Sequence, residues 1–117
     1  MSDVIELSNY IAGNWQPSMC GHWIEDFSPA TGEHIANIPC SSSDDIDLAV
    51  EAALSAANEW AALTIEERSN WLEMIADALE NRAEEIAQLE SLDTGKPIKL
   101  ARNVDAARSV ANFRFFA

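Results

Sequence analysis

Two spacings of apolar residues divide the chain near residue 41. Before that point, short runs of alternating apolar and polar residues are separated by Gly, Pro and Asn, which is typical of strands joined by turns. After it, apolar residues recur every three or four positions, as in amphipathic helices. The pattern predicts an α+β fold that is mostly helical, with a β-hairpin meander over residues 1–41 and a three-helix segment over residues 42–117.

The first region contains two predicted hairpins. In "YIAGNW" the pair Gly13-Asn14 suits the positive φ angles of a tight turn between two strands. In "WIEDFSPATGEHIANIP" the alternation breaks at Ser28-Pro29 and Thr31-Gly32 and then resumes. We therefore expect a second hairpin with its turn near residues 28–32.

The predicted helices begin at recognisable capping residues. Ser42 or Ser43 can cap the first, whose apolar residues step by four, three, four and three up to Trp60. Thr64 and Glu67 have the spacing of a capping box at the start of the second. We expect the second helix to run without a break to the helix-ending pair of residues 95 and 97, and the third to run from about residue 98 to the last residue.

Composition and charge restrict the classes of partner. The formal net charge is −13, and such an acidic surface repels phosphate backbones and anionic lipid, so we expect no nucleic-acid or membrane partner. Cys20 and Cys40 have neither a zinc-site spacing nor that of a small disulfide framework. With no signal-peptide pattern or membrane-spanning apolar run, the sequence predicts a cytoplasmic location.

The stretch "SLDTGKPI" raises the question of a phosphate-binding loop. The phosphate-loop motif requires Gly where Glu90 stands and a hydroxyl residue where Pro97 stands. The glycines are also too scattered for a dinucleotide-binding fingerprint. We therefore expect this stretch to join two helices and to bind no phosphate.

No residues suggest a catalytic centre. His22 and His34 have no Ser or Cys partner at an informative spacing, so we interpret them as ordinary surface or turn residues. Cys20 and Cys40 lack a neighbouring base and an oxyanion site, so we assign neither as a nucleophile. The sequence by itself predicts no catalytic residue and no cofactor-binding residue.

Taken together, several motifs resemble the amino-terminal end of NAD(P)-dependent aldehyde dehydrogenases. They cover about residues 8–117, and the most specific is "E-x-L-D-T-G-K-P" after a long acidic helix. Others are "SPATGEHIANIP" and "VDAARSVANFRFFA". The resemblance implies a longer homo-oligomeric parent that oxidises an aldehyde with NAD, and whose cofactor domain, catalytic Cys and general-base Glu lie beyond residue 117. We therefore expect the 117-residue chain alone to have no dehydrogenase activity.

The resemblance also implies a structural monovalent cation. On this sequence its ligands would be the backbone carbonyl of Phe27 and the side chain of Asp93, with a further ligand from beyond residue 117. Oxygen donors of these two kinds suit a hard cation. In the alternative interpretation, Asp93 only shapes the end of the helix.

Arg108 is the candidate substrate-binding residue. A four, three, four spacing places it on one helical face with Val104, Ala111 and Phe115, so its charge needs an anionic partner. Asp105 can provide that partner locally. The segment is also similar to that of family members that oxidise semialdehydes of the muconate type, which implies that Arg108 binds a substrate carboxylate.

A second hypothesis comes from a different class of protein. The chain could be a stand-alone helical module that self-associates and has no catalytic activity, because apolar faces that would cover a cofactor domain would otherwise be exposed. Trp60 and the aromatic cluster Phe113, Phe115 and Phe116 are the candidate contacts. Their alternative role is as ordinary core residues.

Overall fold

The computed structural model describes residues 4–117, which form two compact units. The first unit comprises the residues up to Phe27 together with Gly32–Ala62, and the second comprises Ser28–Thr31 together with Leu63–Ala117. Helices account for most of the described residues, and the strands are short. The predicted α+β, mostly helical class is therefore confirmed.

Two small sheets lie in the first unit. In the larger sheet, the strand of residues 34–39 lies between the strand of residues 23–27, which is antiparallel to it, and the strand of residues 5–6, which is parallel to it. The strands of residues 9–11 and 14–16 form a separate antiparallel pair. Ile35 and Ala36 of the central strand are buried. The strands are β1 (Ile5–Glu6), β2 (Asn9–Ile11), β3 (Asn14–Gln16), β4 (Trp23–Phe27) and β5 (His34–Pro39).

Both predicted hairpins are present. The first turns at Ala12 and Gly13, which have φ angles of 51° and 79°, so the turn lies one residue earlier than expected. Two successive positive φ angles match the twist of the flanking strands, and here Ala accepts the left-handed conformation that Asn more often adopts. The second hairpin joins β4 and β5 through the predicted turn region.

The first helix, α1 (Ser43–Ala62), begins where the capping residues predicted. Its N-terminus is fixed to the strand region, since Asp45 accepts a 3.0 Å hydrogen bond from the backbone N–H of Met19. The helix also packs against β2. Consequently the compact units divide the chain after Ala62, whereas the sequence pattern alone divides it near residue 41.

The predicted second helix is in fact two helices, α2 (Ile65–Asn81) and α3 (Ala83–Thr94). Thr64 and Glu67 form the expected capping box, with both reciprocal hydrogen bonds present. The break falls at Arg82, whose φ of −112° and ψ of 14° lie outside the α-helical region. The expectation of one continuous helix was wrong because no Gly or Pro marks this position.

The predicted third helix is also interrupted. It consists of a short α4 (Ile98–Leu100), a π-helical segment (Ala101–Ala106) and α5 (Ala107–Phe116). The buried residues of the last two segments are Ala101, Ala106 and Val110, so the first spacing is five residues and the second is four. A π-helical turn adds a residue to the repeat and rotates the buried face of the helix that follows.

The core of the second unit is built from small side chains. Ala87 of α3 and Ala101 and Ala106 of the π-helical segment are fully or almost fully buried, and Ala83 and Ile86 pack against them. Alanines at a contact let two helix backbones approach closely, where a larger side chain would force them apart. This core holds α3 against the segment that leads to Arg108.

Candidate functional site

The stretch from Ser91 to Ile98 joins helices, as predicted, and its lysine is already paired. Gly95 ends α3 in the left-handed conformation, and its N–H donates to the Ser91 carbonyl at 3.0 Å. Lys96 Nζ lies 2.6 Å from Glu90 Oε1 and 2.9 Å from Asp105 Oδ2. These two hydrogen bonds, the one to Glu90 first, raise the pKa of Lys96. Lys96 therefore links α3 to the π-helical segment.

Gly95 also contacts the turn that follows β4. A Cβ atom built on Gly95 would lie 2.9 Å from Pro29 Cγ, closer than non-bonded carbon atoms approach. Both residues belong to the second unit. The glycine is thus required twice over, by its φ of 72° and by the space that Pro29 occupies.

The two predicted cation ligands lie at the ends of secondary-structure elements. Phe27 is the last residue of β4, and its ring centroid lies 5.3 Å from that of His34. Asp93 is the second-last residue of α3 and interacts with another described residue. Phe27 belongs to the first unit and Asp93 to the second, so their joint binding of a cation stays a prediction.

Arg108 is exposed near the start of α5. The local partner considered for it, Asp105, pairs with Lys96 instead. Among the hydrogen bonds and ion pairs of residues 4–117, none involves the side chain of Arg108. Its helical neighbours on the predicted stripe are exposed as well: 44% of Val104 and 82% of Phe115 are accessible. The stripe is therefore an exposed apolar face with an unpaired cation on it.

Arg108 lies on the side of its helix opposite to the buried residues. Ala106, the last residue of the π-helical segment, and Val110 of α5 are both buried, and Arg108 lies between them in sequence. A side chain two positions from each points about 200° away around an α-helix, that is, to the opposite side. An open groove adjoins the face and is lined by Pro97, Lys99, Leu100, Asn103 and Val104.

A buried carboxylate at the start of α1 is a feature that sequence reasoning missed. Asp45 is 3% exposed and accepts hydrogen bonds from the Ser18 hydroxyl and from the N–H groups of Met19 and Ser42. The bonds from the Ser42 and Met19 N–H groups, in that order, are the main reasons why the pKa of Asp45 lies below its ordinary value. The Ser-x-x-Asp spacing of residues 42 and 45 was the available signal.

His34 and Cys20 make local hydrogen bonds within the first unit. His34 Nε2 lies 3.0 Å from the Ala36 carbonyl and 2.9 Å from Asn37 Oδ1, on its own strand. Cys20 lies near Cys40 and Ser18, without a histidine side chain in hydrogen-bonding contact. Within residues 4–117, no three or more His, Cys, Asp or Glu residues are grouped so that they could hold a metal ion.

Comparison with known proteins decides the family. The model of the aldehyde dehydrogenase family matches residues 15–117, which is most of the chain. The chain belongs to the aldehyde dehydrogenase family. 2-Aminomuconic semialdehyde dehydrogenase of Homo sapiens is 45% identical to it over 114 residues, covering 97% of the chain and 23% of that protein.

Solved structures of other proteins contain the same fold. PnpE from Pseudomonas sp. WBC-3 matches with a TM-score of 0.91 and 40% identity, covering 95% of this chain and 23% of that one. The NAD⁺ complex of aldehyde dehydrogenase from Bacillus cereus matches with a TM-score of 0.90 and 38% identity, covering 94% and 23%. The resemblance inferred from the motifs is therefore confirmed.

The matched region is a minor part of these relatives. The chain spans about a quarter of the length of the aldehyde dehydrogenases that it matches, whereas they match almost all of it. No helix within residues 4–117 has the length and apolar character needed to cross a membrane.

Proposed function

We propose that this chain forms the amino-terminal part of an NAD-dependent aldehyde dehydrogenase that oxidises a carboxylate-bearing semialdehyde to the acid. The substrate class is supported by the likeness to 2-aminomuconic semialdehyde dehydrogenases, which are 44–46% identical in four vertebrates. The observation that carries the proposal is Arg108, an exposed guanidinium that lies on an apolar face and has no ionic partner among residues 4–117.

Arg108 would bind the substrate carboxylate, at the end of the substrate remote from the aldehyde. A guanidinium can donate two parallel hydrogen bonds to a carboxylate, and the apolar neighbours Val104 and Phe115 would exclude water from that ion pair. An uncharged aldehyde cannot accept this pair of bonds. The arrangement therefore favours an acid-bearing aldehyde over a neutral one of the same length.

The test uses a chimera in which this chain replaces the matching part of human 2-aminomuconic semialdehyde dehydrogenase. Arg108→Met is expected to lower kcat/KM for the carboxylate-bearing semialdehyde about 10- to 100-fold, the effect of losing one charge-assisted interaction. For an uncharged aldehyde of similar length, kcat/KM should stay within about threefold, because that substrate makes no such interaction.

Arg102→Met is the matched control, because Arg102 lies in the π-helical segment just before α5 and already pairs with Glu84 at 2.7 Å. It should leave the ratio of the two kcat/KM values unchanged. Equal losses on both substrates would show that Arg108 acts on structure alone. An unchanged ratio in the Arg108→Met chimera would contradict the proposed substrate class.

We assign no NAD-binding loop to the described residues. Gly13, Gly21, Gly32 and Gly95 all have positive φ angles, but each lies in a separate turn or helix end. A dinucleotide site needs glycines clustered between a strand and a helix. In the proposed enzyme, NAD would accept hydride from the substrate, and we assign no part of its binding to this chain.

The predicted monovalent cation belongs to the same proposal. Its donor set, the Phe27 carbonyl and the Asp93 carboxylate, has the chemistry of a hard-cation site. Asp93→Asn should therefore reduce any gain in melting temperature that KCl gives the chimera over tetramethylammonium chloride at equal ionic strength. The same gain in both proteins would exclude Asp93 as a ligand.

A self-associating module is the second candidate function, and the aromatic end of α5 favours it. Phe115 is 82% exposed and Phe116 is 75% exposed, with ring centroids 5.0 Å apart in an edge-to-face pair. Exposed apolar patches of this kind mark interaction surfaces. The molar mass of the chain in solution, measured by light scattering, tests this candidate.

A further inference from the structure

Cys20 lies in the segment before β4 and Cys40 in the segment before α1. Hydrogen bonds hold these two segments side by side. Cys20 Sγ lies 2.6 Å from the Cys40 carbonyl oxygen, and the Cys40 N–H donates to the His22 carbonyl at 2.9 Å. Both thiols are free, with Cys20 exposed and Cys40 half-buried. The residues are 20 positions apart in sequence, so only the tertiary fold of the first unit brings them together.

Covalent geometry limits the separation of these cysteines. With a C=O bond of about 1.2 Å and a Cα–C bond of about 1.5 Å, Cys40 Cα can lie no more than about 5.4 Å from Cys20 Sγ. Because the Sγ of a cysteine lies about 2.8 Å from its own Cα, the two Cα atoms can lie no more than about 8.2 Å apart, and a disulfide requires roughly 4.4–6.8 Å. Closing the bond therefore needs rotation of the side chains about χ1 and at most about 1.5 Å of backbone approach.

The surroundings of Cys20 favour reaction at this sulfur. The Ser18 hydroxyl lies 3.2 Å from Cys20 Sγ, and this hydrogen bond, followed by one from the His22 backbone, lowers the pKa of the thiol. Asp45 opposes the shift through its negative charge. An accessible thiol with increased thiolate character is the type that peroxides oxidise.

We propose that Cys20 and Cys40 form a peroxide-sensitive dithiol that closes into an intramolecular disulfide. The Cys20 thiolate attacks one oxygen of hydrogen peroxide and breaks the O–O bond, giving a sulfenic acid and hydroxide, which takes up the thiol proton to become water. The Cys40 thiol then attacks the sulfenic sulfur, the S–S bond forms and a second water leaves. Overall, two thiols and one peroxide give one disulfide and two waters.

The disulfide would act on the start of α1. The Ser18 hydroxyl oxygen lies 2.9 Å from the Cys40 carbonyl oxygen and 3.0 Å from Asp45 Oδ2, and its single proton can be donated to either of them, so the cysteine pair adjoins the carboxylate that caps the helix. A covalent link closing a loop of this size restricts the unfolded chain. Oxidation should therefore raise the melting temperature by roughly 5 °C or more.

Intact mass and peptide mapping of the peroxide-treated chain test the proposal. The expected product is a monomer lighter by about 2 Da, with one peptide pair linking Cys20 and Cys40 and with the original mass restored by dithiothreitol. In the untreated chain, iodoacetamide should alkylate Cys20 about 10-fold faster than Cys40, because Cys20 is the exposed thiol.

Cys20→Ser and Cys40→Ser are the matched variants, and neither should lose mass or gain melting temperature with peroxide. Cys20→Ser replaces an exposed side chain and should keep the circular dichroism spectrum of the parent. Stable oxygen addition at Cys20 with Cys40 still free would overturn the proposal. Disulfides formed only between chains, seen as dimers on a non-reducing gel, would overturn it as well.

Discussion

At the scale of single residues, Gly95 is the position with the most stringent requirement. Its φ of 72° lies in the left-handed region, and Pro29 Cγ occupies the space where a side chain would begin. The sequence predicted the first requirement, since a glycine before proline ends a helix. It gave no sign of the second, because Pro29 is distant in sequence.

Gly95→Ala is expected to lower the free energy of unfolding by more than the roughly 1–2 kcal/mol that the left-handed conformation alone costs. Gly32→Ala is the matched control, because Gly32 has a similar φ of 73° and open space around its Cα. Urea unfolding of both variants measures the difference. Pro29→Ala should recover part of the loss in Gly95→Ala, and equal losses at Gly32 and Gly95 would contradict the Pro29 contact.

For Arg108, the sequence predicted the helical face but could not decide the ionic partner. Sequence reasoning placed it on an apolar helical face and considered Asp105 as its partner. In the structure, Asp105 forms an ion pair with Lys96 and not with Arg108. Helical spacing rules could not indicate this pair, because Lys96 lies outside the helix, in the preceding turn. Whether Lys96 or Arg108 pairs with Asp105 depends on the distances between their side chains in the folded chain.

At the scale of elements, helix starts were predictable and helix interruptions were not. Caps depend on two or three neighbouring residues, so Thr64 and Glu67 could be recognised directly. The break at Arg82 and the π-helical segment at Ala101–Ala106 carry no such local signal. Burial of Ala87 against Ala101 is a tertiary contact, and it is compatible with the altered helical repeat.

The start of α1 yields a prediction of pH dependence. The folded-state pKa of Asp45 is lowered, so its contribution to stability is fully present above the unfolded value of about 3.9 and is lost as the pH falls through the folded value. Asp45→Asn should therefore flatten the decrease in stability between about pH 5 and pH 2. Urea unfolding followed by circular dichroism across this range measures the slope.

Asp47→Asn is the control for that experiment. Asp47 is exposed on the same helix and accepts none of the hydrogen bonds that hold Asp45. The substitution Asp47→Asn removes the same charge as Asp45→Asn. Its acid dependence should stay close to that of the parent chain. Indistinguishable slopes for Asp45→Asn and Asp47→Asn would show that the capping hydrogen bonds do not set the acid sensitivity.

At the scale of the whole molecule, net charge and exposed aromatic surface act in opposite directions. A net charge of −13 repels copies of the chain from one another, while Phe115 and Phe116 favour contact. Salt shortens the range of the repulsion, to a Debye length of about 10 Å at 0.1 M, and leaves apolar contact in place. Association should therefore increase with salt.

Light scattering of the chain from low to moderate NaCl concentration checks this expectation. The molar mass should rise with salt, and Phe115→Ser with Phe116→Ser should keep it near that of one chain. Ile65→Ser is the matched control, because Ile65 is also largely exposed, at 74%, but lies at the start of α2. A monomer at every salt concentration would count against the self-associating module.

The sequence by itself determined the strand-then-helix order, the capping residues, the helix end at Gly95 and the family, because each depends on residues close together or on a linear motif. Only the tertiary structure decided which charges pair, which helical face is buried and which cysteines lie side by side. Lys96 with Asp105, Ala87 with Ala101, and Cys20 with Cys40 are brought together by packing. Local propensity cannot specify such pairs, since their energies depend on distances that the chain acquires only when it folds.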